Sequence, residues 1–373
     1  MSNLDEILIV SGRAGEDFAK RVIEKLNNNE DVRKQGSICL GNTPITNFNS
    51  GEISLMIREN ARRKSVYVIQ GISQGESQLK HNLHEDLFEL LIINDSLRRA
   101  GVKEIINVVP FLPYMRQDRK TQGREPISAK VVIDCILKSI EPVPARIITV
   151  DMHFKQAQGL TNYPIDDIST MPLFLMYCLY HQELSSQQLV AVSPDAGGVA
   201  RAREFSGYLD IPLAILDKQR QKGQLARVHN LIGDVKDRTA LMIDDMIDTG
   251  GSIIEGANVL REYGGAKHRV YALCSHGLFS KRLHQNNFTE SLLYENNIEV
   301  ITTDSIPRSQ EYRDKAHRWL HTMTLTKYIA DIILCNHLGN SVSETMTRHL
   351  ERARKKESDI NDYLLPVTPR ELE

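Results

Sequence analysis

The sequence predicts an α/β fold of two similar domains, each a mostly parallel sheet flanked by helices. Short apolar runs alternate with amphipathic helical stretches along the 373 residues, the pattern of strand–helix–strand units. Roughly nine such runs are more than one sheet of average size holds. The length suits two ordinary domains, and both halves repeat the same strand–helix order. A boundary falls within 160–185, giving expected divisions of 1–168, 169–346 and a charged C-terminal extension, 347–373.

Bulk composition narrows the function classes. Hydrophobic residues are 41% and charged residues 25% of the chain, ordinary for a soluble globular protein. A formal net charge of −2 gives no broad electrostatic case for nucleic acid or a membrane. No segment approaches the ~18 consecutive apolar residues of a membrane span. Five cysteines (Cys39, Cys135, Cys178, Cys274, Cys335) lack Cys-x-x-Cys spacing and fit a reducing compartment. Four of them sit in apolar runs, where a buried thiol is expected. The start, MSNLDEILIVSG, has no basic segment, and its apolar run is too short for a signal peptide. Cytoplasm is the expected location.

The first strand is Ile7–Val10, with a helix near 16–28. Asn47-Phe48-Asn49-Ser50-Gly51-Glu52 follows, a polar stretch around one aromatic that reads equally well as core. Strand Ser65–Gln70, a helix near 84–100 and strand Ile105–Pro110 come next. In VVPFLPYMRQDRK (108–120), Arg116, Gln117, Asp118, Arg119 and Lys120 lie past the strand's carboxyl end, where ligands bind in open α/β sheets. Arginine by its fork and lysine by its point charge can hold a polyphosphate; an exposed basic turn is the alternative. A helix near 128–140 leads to strand Ile147–Val150 and ITVDMHFKQAQG (148–159). Asp151 and His153 are spaced i, i+2, on one face of an extended chain. Such a pair can ligate a divalent cation, directly or through water, or form a structural hydrogen bond.

In the second half, strand Leu189–Val192 runs into Ser193-Pro194-Asp195, and Gly197-Gly198 opens a helix near 197–208. Asp195 therefore stands at a carboxyl end. After strand Leu213–Leu216, Lys218 and Arg220 begin a polar stretch that reaches Arg227. It reads as a flexible basic loop or as a lid carrying two cations onto developing charge.

The densest signal is LMIDDMIDTGGSI, 241–253. Strand Leu241–Ile243 ends in Asp244 and Asp245; then Asp248, Thr249, Gly250, Gly251 and Ser252 open a helix over 251–263. Backbone N–H groups of such a loop wrap a phosphate, and a helix start favours an anion. Carboxylates repel phosphate but accept from sugar hydroxyls. A phosphate cradle beside hydroxyl acceptors describes a sugar-phosphate site. An isolated Gly-Gly-Ser turn would read as a plain strand–helix turn, but the acidic pair after a buried strand favours the site.

Strands Val270–Leu273 and Val300–Thr302 and a helix near 323–337 complete the pattern. Ser341 and Ser343 border the last helix, where serine often caps. The 347–373 segment reads as a helical extension fraying into a tail.

The 241–253 stretch resembles the phosphoribosyl-pyrophosphate loop of the type I phosphoribosyltransferase fold, and more closely that of the ribose-phosphate diphosphokinases, the phosphoribosyl pyrophosphate synthetases. The other motifs occur in that family's order across roughly residues 5–346. The resemblance implies transfer of the diphosphoryl group of ATP to the anomeric hydroxyl of ribose 5-phosphate, giving phosphoribosyl pyrophosphate and AMP. It implies ATP at Phe48, Ser50, Glu52, Arg116, Gln117 and Asp118, on the 1–168 side and against a neighbouring subunit. It implies ribose 5-phosphate at Asp244, Asp245, Asp248, Thr249, Gly250, Gly251 and Ser252. Mg²⁺ is implied at His153, Asp195 and Asp151, and catalysis at Lys218, Arg220 and His153. Ser341, Ser343 and Arg62 match an allosteric anion site for inorganic phosphate and ADP. A homo-oligomer of dimers, up to a hexamer, is implied as well. Departures are local: 71–84 and the loop around 30–46 look long, Phe154 and Lys155 differ from the family pattern, and the tail after Met346 is an addition. One alternative is a non-catalytic synthetase-associated regulatory subunit, which typically loses catalytic segments that survive here. A transferase consuming phosphoribosyl pyrophosphate would lack the RQD and DxH segments.

Overall fold

A computed structural model of the chain describes residues 4–72, 82–185, 188–219, 227–267, 269–280, 289–316 and 320–365. Residue contacts divide it into two compact units. The first is Met1–Ser169, Ser305–Arg308 and Leu325–Thr347; the second is Thr170–Asp304, Ser309–Thr324 and Arg348–Glu373.

In the first unit the strands are β1 (Ile7–Ser11), β2 (Ile45–Asn47), β3 (Ile53–Leu55), β4 (Ser65–Ile69), β5 (Glu104–Val108), β6 (Ala145–Val150) and β7 (Ile165–Ile168). Five of them form a sheet in the order β1-β4-β5-β6-β7, parallel throughout. The pair β2–β3 is a separate antiparallel hairpin. β1 and β4 are buried along their whole length, as strands covered on both faces must be. The helices are α1 (Glu16–Asn27), α2 (Glu30–Gln35), α3 (Leu83–Ala100) and α4 (Ser128–Ile140). α1 buries Phe18, Ala19, Val22, Ile23 and Leu26, one stripe at helical spacing. Asn82 caps α3 by accepting from the His84 and Glu85 amides.

In the second unit the strands are β8 (Leu189–Ser193), β9 (Leu213–Gln219), β10 (Arg227–Ile232), β11 (Thr239–Ile247), β12 (Val270–Gly277), β13 (Ile298–Thr303) and β14 (Leu320–Met323). They form one sheet, β10-β9-β8-β11-β12-β13-β14, in which β10 alone runs antiparallel to its neighbour. The helices are α5 (Met171–Tyr180), α6 (Gln182–Ser185), α7 (Val199–Leu209), α8 (Gly251–Glu262), α9 (Thr289–Glu295) and α10 (Gln310–Ala316). The next helix, α11 (Thr326–His337), belongs to the first unit. It packs on α1, and the Tyr67 hydroxyl donates to the Ile333 carbonyl at 3.3 Å. The last helix is α12 (Val342–Arg354).

Every strand and helix expected from the sequence is present, with shifted ends. Two shifts matter for function. β9 continues past Leu216 to Gln219, so Lys218 lies in a strand, paired with Val228 of β10. β11 continues past Ile243 to Ile247, so Asp244 and Asp245 lie within a strand rather than after one. Residues 220–226, with Arg220 and most of the expected lid, fall outside the described residues.

The unexpected elements have physical reasons. α5 reads MPLFLMYCLY and buries Met171 through Cys178; a helix buried all round has no polar face and therefore no period. β7, β10 and β14 are sheet edges or end strands with polar residues inside, such as Asp166, which pairs with Arg146 at 2.6 Å. All five cysteines are free. Cys178, Cys274 and Cys335 are buried, but Cys135 is exposed on the outer face of α4, against the expectation from its apolar run. Burial pushes the Cys178 and Cys274 thiols up to about 12, which leaves them inert. Among the described residues no helix is long and apolar enough to cross a membrane.

The C-terminal segment is docked as far as residue 365, not frayed. Leu364 bridges antiparallel to Met323 of β14. Thr324 N–H donates to the Tyr363 carbonyl at 2.7 Å, and Leu365 N–H to the Thr322 carbonyl at 3.1 Å. Tyr363 is buried, its hydroxyl 3.3 Å from His349 Nδ1, and the Tyr180 hydroxyl donates to the Ser358 carbonyl at 2.7 Å. The segment covers the β14 edge, which would otherwise be a template for association. Residues 366–373 lie outside the described range.

Tyr363→Ala is expected to cost about 3 kcal/mol, the scale for truncating a buried aromatic. Thermal unfolding followed by circular dichroism should show a midpoint lowered by several degrees. An unchanged midpoint would mean that the docked segment carries no stability.

Candidate functional site

In the second unit, the groups singled out from sequence converge on the carboxyl ends of β8 and β11, which are adjacent strands. β8 ends at Ser193, and Asp195 follows. Asp195 Oδ1 accepts from the Gly197 and Gly198 amides at 2.9 and 3.1 Å, an Asx-type turn that leads into α7. The Ser193 hydroxyl donates to the Asp195 carbonyl at 2.6 Å. One carboxylate oxygen of Asp195 is thus tied to its own turn.

Beyond Ile247, Asp248 and Thr249 are half-buried, Gly250 is buried and Ser252 is exposed at the start of α8. Gly250 has φ +68° and is the N-cap of α8. A side chain there would be strained by that backbone, and its Cβ would stand 3.1 Å from Thr289 Cγ2. With no cap side chain at Gly250, the first amides of α8 form an anion-favouring helix start.

Asp244 is half-buried and Asp245 is buried. Burial raises the Asp244 carboxyl well above the usual carboxylate range. Asp245 and Asp195 push the same way, and Arg201 opposes them. Arg201 Nη1 lies 3.2 Å from Asp245 Oδ1 and 3.9 Å from Asp244 Oδ1. Sequence reading missed Arg201. The signal was in plain view, an arginine in the first turn of the helix that Gly197-Gly198 opens, but its partners are more than 40 residues away in the chain.

In the first unit the groups lie past β5 and β6 and on the β2–β3 hairpin. Past β5, Arg116 is exposed and Asp118 half-buried. Gln117 is anchored: its carbonyl accepts from Ala129 N–H at 3.2 Å, and its Oε1 accepts from the Ser128 hydroxyl. These bonds tie the turn to the start of α4. Past β6, the shared face expected for Asp151 and His153 does not form. β6 ends at Val150, Asp151 has φ +36°, and the chain turns there. Asp151 is buried and His153 exposed. Phe48 is not core: it is 60% exposed at the hairpin tip. There Phe48 N–H donates to the Glu52 carbonyl at 2.8 Å, and the Ser50 hydroxyl to Glu52 Oε2 at 2.7 Å.

Ser341 acts as a cap: its Oγ accepts from the Glu344 amide at 3.2 Å at the start of α12. Ser343 is exposed in the first turn, and Arg62 is exposed with its amide donating to Asn60 Oδ1 at 3.2 Å.

Among the described residues, no three His, Cys, Asp or Glu side chains are arranged to enclose a metal ion. Asp195 stands at this rim as a single carboxylate, and magnesium takes one or two carboxylates and completes its shell with water and phosphate oxygens.

The Asp244 shift predicts a pH dependence of stability. A carboxyl raised in the folded state binds its proton more tightly there than in the unfolded chain. Its stabilising effect is therefore present below the unfolded value of about 3.9 and is lost as pH rises through the folded value. Asp244→Asn should raise the unfolding midpoint of the ligand-free protein at neutral pH, with the gain shrinking as pH falls toward about 4. A gain independent of pH, or no gain, would contradict the burial argument.

Comparison with known proteins agrees with this layout. Residues 7–139 match the N-terminal domain of ribose phosphate pyrophosphokinase, and residues 209–347 match the phosphoribosyl synthetase-associated domain. The chain is 34% identical to the ribose-phosphate pyrophosphokinase of Mycoplasma genitalium over 343 residues, 91% of this chain and 98% of that one. It is 36% identical to that of Caldanaerobacter subterraneus subsp. tengcongensis over 348 residues, 92% and 98% of the two chains. The crystal structure of phosphoribosylpyrophosphate synthetase from Mycobacterium smegmatis superposes with a TM-score of 0.76 at 31% identity, covering 90% of this chain and 99% of that one. On fold, motif order and these likenesses together, the chain belongs to the ribose-phosphate pyrophosphokinase family.

Proposed function

We propose that this chain transfers the diphosphoryl group of ATP to the 1-hydroxyl of ribose 5-phosphate. The hydroxyl oxygen bonds to the β-phosphorus, the bond from that phosphorus to the oxygen bridging the α-phosphate breaks, AMP leaves, and the hydroxyl proton is released. The observation that carries the reading is the β11–α8 segment. It sets two carboxylates in a strand end, followed by a glycine-bent loop and an open helix start.

We assign Asp248, Thr249, Gly250, Gly251 and Ser252 to the 5-phosphate, and the Asp244–Asp245 pair to the ribose. Amide donors at a helix start suit the phosphate, and carboxylate acceptors suit hydroxyls. ATP is assigned to Arg116, Gln117 and Asp118 past β5, and to Phe48, Ser50 and Glu52 at the hairpin tip. The exposure of Phe48 supports a stacking role there, against an adenine bound by a neighbouring copy, so a homo-oligomer is part of the proposal. Asp195, His153 and Asp151 are assigned to the Mg²⁺–ATP centre. Magnesium would supply charge neutralisation of the phosphates. Asp195 keeps Oδ2 for that role while Oδ1 serves its turn. For Asp151 and His153 the support is the motif, since they do not share a face. Lys218 and Arg220 are assigned to the charge that develops in transfer. Free, mostly buried thiols support a cytoplasmic location. Phosphate and ADP as effectors at Arg62, Ser341 and Ser343 rest on the motif alone, and Ser341 already serves as a helix cap.

Purified protein given ATP, Mg²⁺ and ribose 5-phosphate should form AMP and phosphoribosyl pyrophosphate in equal amounts. Lys218→Ala should leave the circular dichroism spectrum intact. It should lower turnover by several orders of magnitude, because a lost transition-state cation costs roughly 3–5 kcal/mol. Near wild-type AMP formation by that variant would remove Lys218 from the mechanism.

A further inference from the structure

The two carboxylates of β11 are not equivalent. Side chains of a strand alternate between faces, and β11 runs through both residues. Asp245 and Ile247 are buried at 5% and 2% exposure, while Asp244 and Met246 between and beside them are half-buried. Asp245 Oδ1 meets Arg201 Nη1 at 3.2 Å, the Asp245 side chain 8% and the Arg201 side chain 20% exposed. Asp244 folds back over the next peptide, its Oδ1 accepting from Asp245 N–H at 2.9 Å. Arg201 is 3.9 Å from that same oxygen. The Asp244 carboxyl also lies within hydrogen-bonding reach of the Asp245 side chain.

We propose that Arg201 and Asp245 form a fixed ion pair whose task is to position Asp244, and that Asp244 is the carboxylate that takes the ribose hydroxyls. Arg201 is then a positioning residue, not a ligand of the substrate. A carboxylate buried at this depth persists only with a cation and hydrogen bonds around it. Arg201 meets that need for Asp245, and it offsets the crowding of Asp195, Asp244 and Asp245. The Asp245 amide then holds Asp244 Oδ1, which fixes the direction of Oδ2. This rests on the ribose assignment of β11 made above and refines it, since it gives the two carboxylates different tasks.

The test is a double-mutant cycle read by steady-state kinetics, with folding checked by circular dichroism. Arg201→Met is expected to raise KM for ribose 5-phosphate about tenfold, with KM for ATP within about twofold of wild type. Arg201→Lys should recover most of the loss, because what Asp245 needs beside it is a cation. Lysine would not replace a bidentate clamp on phosphate. Asp245→Asn should also raise the ribose 5-phosphate KM, but should add nothing in the Arg201→Met background, since the pair acts as a unit. Arg201→Gln takes the place of the methionine variant if that one does not fold. Three results would each overturn the inference: additive losses in the double variant, an ATP KM rising as much as that for ribose 5-phosphate, or a ribose 5-phosphate KM unchanged by loss of the guanidinium. Absence of any AMP formation by the wild-type protein would instead refute the proposed function, a separate failure.

Discussion

A carboxylate can enter a strand buried in a parallel sheet only with a compensating charge beside it, and Arg201 supplies that charge to β11. Without it, Asp245 would be a buried anion next to two others, a situation that proteins avoid by protonation or by ending the strand. With it, β11 carries acidic groups deeper into the sheet than its apolar run reaches. The glycine-bent loop then starts immediately beyond Ile247, so carboxylate acceptors and backbone amide donors follow one another along one strand and one helix start. Replacing such a pair by apolar residues often stabilises a protein. Here the arrangement costs stability and secures a direction for Asp244, which is a reason to retain it at a site and not in a core.

The first unit solves a different problem. Its polar residues sit beyond strand ends, where burial is incomplete and turns carry the load. Gln117 illustrates this. Its side chain and carbonyl both go to the first turn of α4, so the segment bearing Arg116 and Asp118 is tied to a helix instead of hanging from β5. The hairpin of β2 and β3 does the same for Phe48. A Phe48–Glu52 backbone bond and a Ser50–Glu52 contact order the tip, and the aromatic is left outward. An exposed phenylalanine on an ordered hairpin is costly to a free protein and useful against a flat apolar partner.

What could be read from sequence follows from these same forces. β1, β4 and β8 are apolar runs buried on both faces, and α1 and α4 carry one-sided stripes, so all five were legible. α5 was not, because MPLFLMYCLY has no polar face to give a period. β7 and β14 were not, because IDDI and LHTM carry charge or polarity tolerated only toward a sheet edge. The glycine-bent loop was legible because Gly250 and the helix start are local. The split between Asp244 and Asp245 was not, since it depends on β11 running on through both residues, and the arginine that pairs with Asp245 lies far back in the chain. The Asp151–His153 pairing failed for a similar reason. Spacing implies a shared face only while the chain stays extended, and a left-handed Asp151 ends that condition at once.

The C-terminal segment shows composition misleading in the opposite direction. TRHLERARKKESDINDYLL looks like a solvated tail, yet its few apolar residues decide its fate. Ala353 and Tyr363 are buried, and residues 363–365 pair along β14. A sheet edge offers backbone hydrogen bonds to any extended chain irrespective of its side chains, so one anchoring aromatic is enough to convert a polar segment into an edge strand. The same bonds hold Thr322 to Thr324, and the Thr324 hydroxyl donates to Asp304 Oδ2 at 2.6 Å. The docked segment thereby steadies the ends of β13 and β14 on the same carboxyl rim of the sheet that carries the glycine-bent loop after β11. An addition beyond the matched family domains has been absorbed into the scaffold of the second unit.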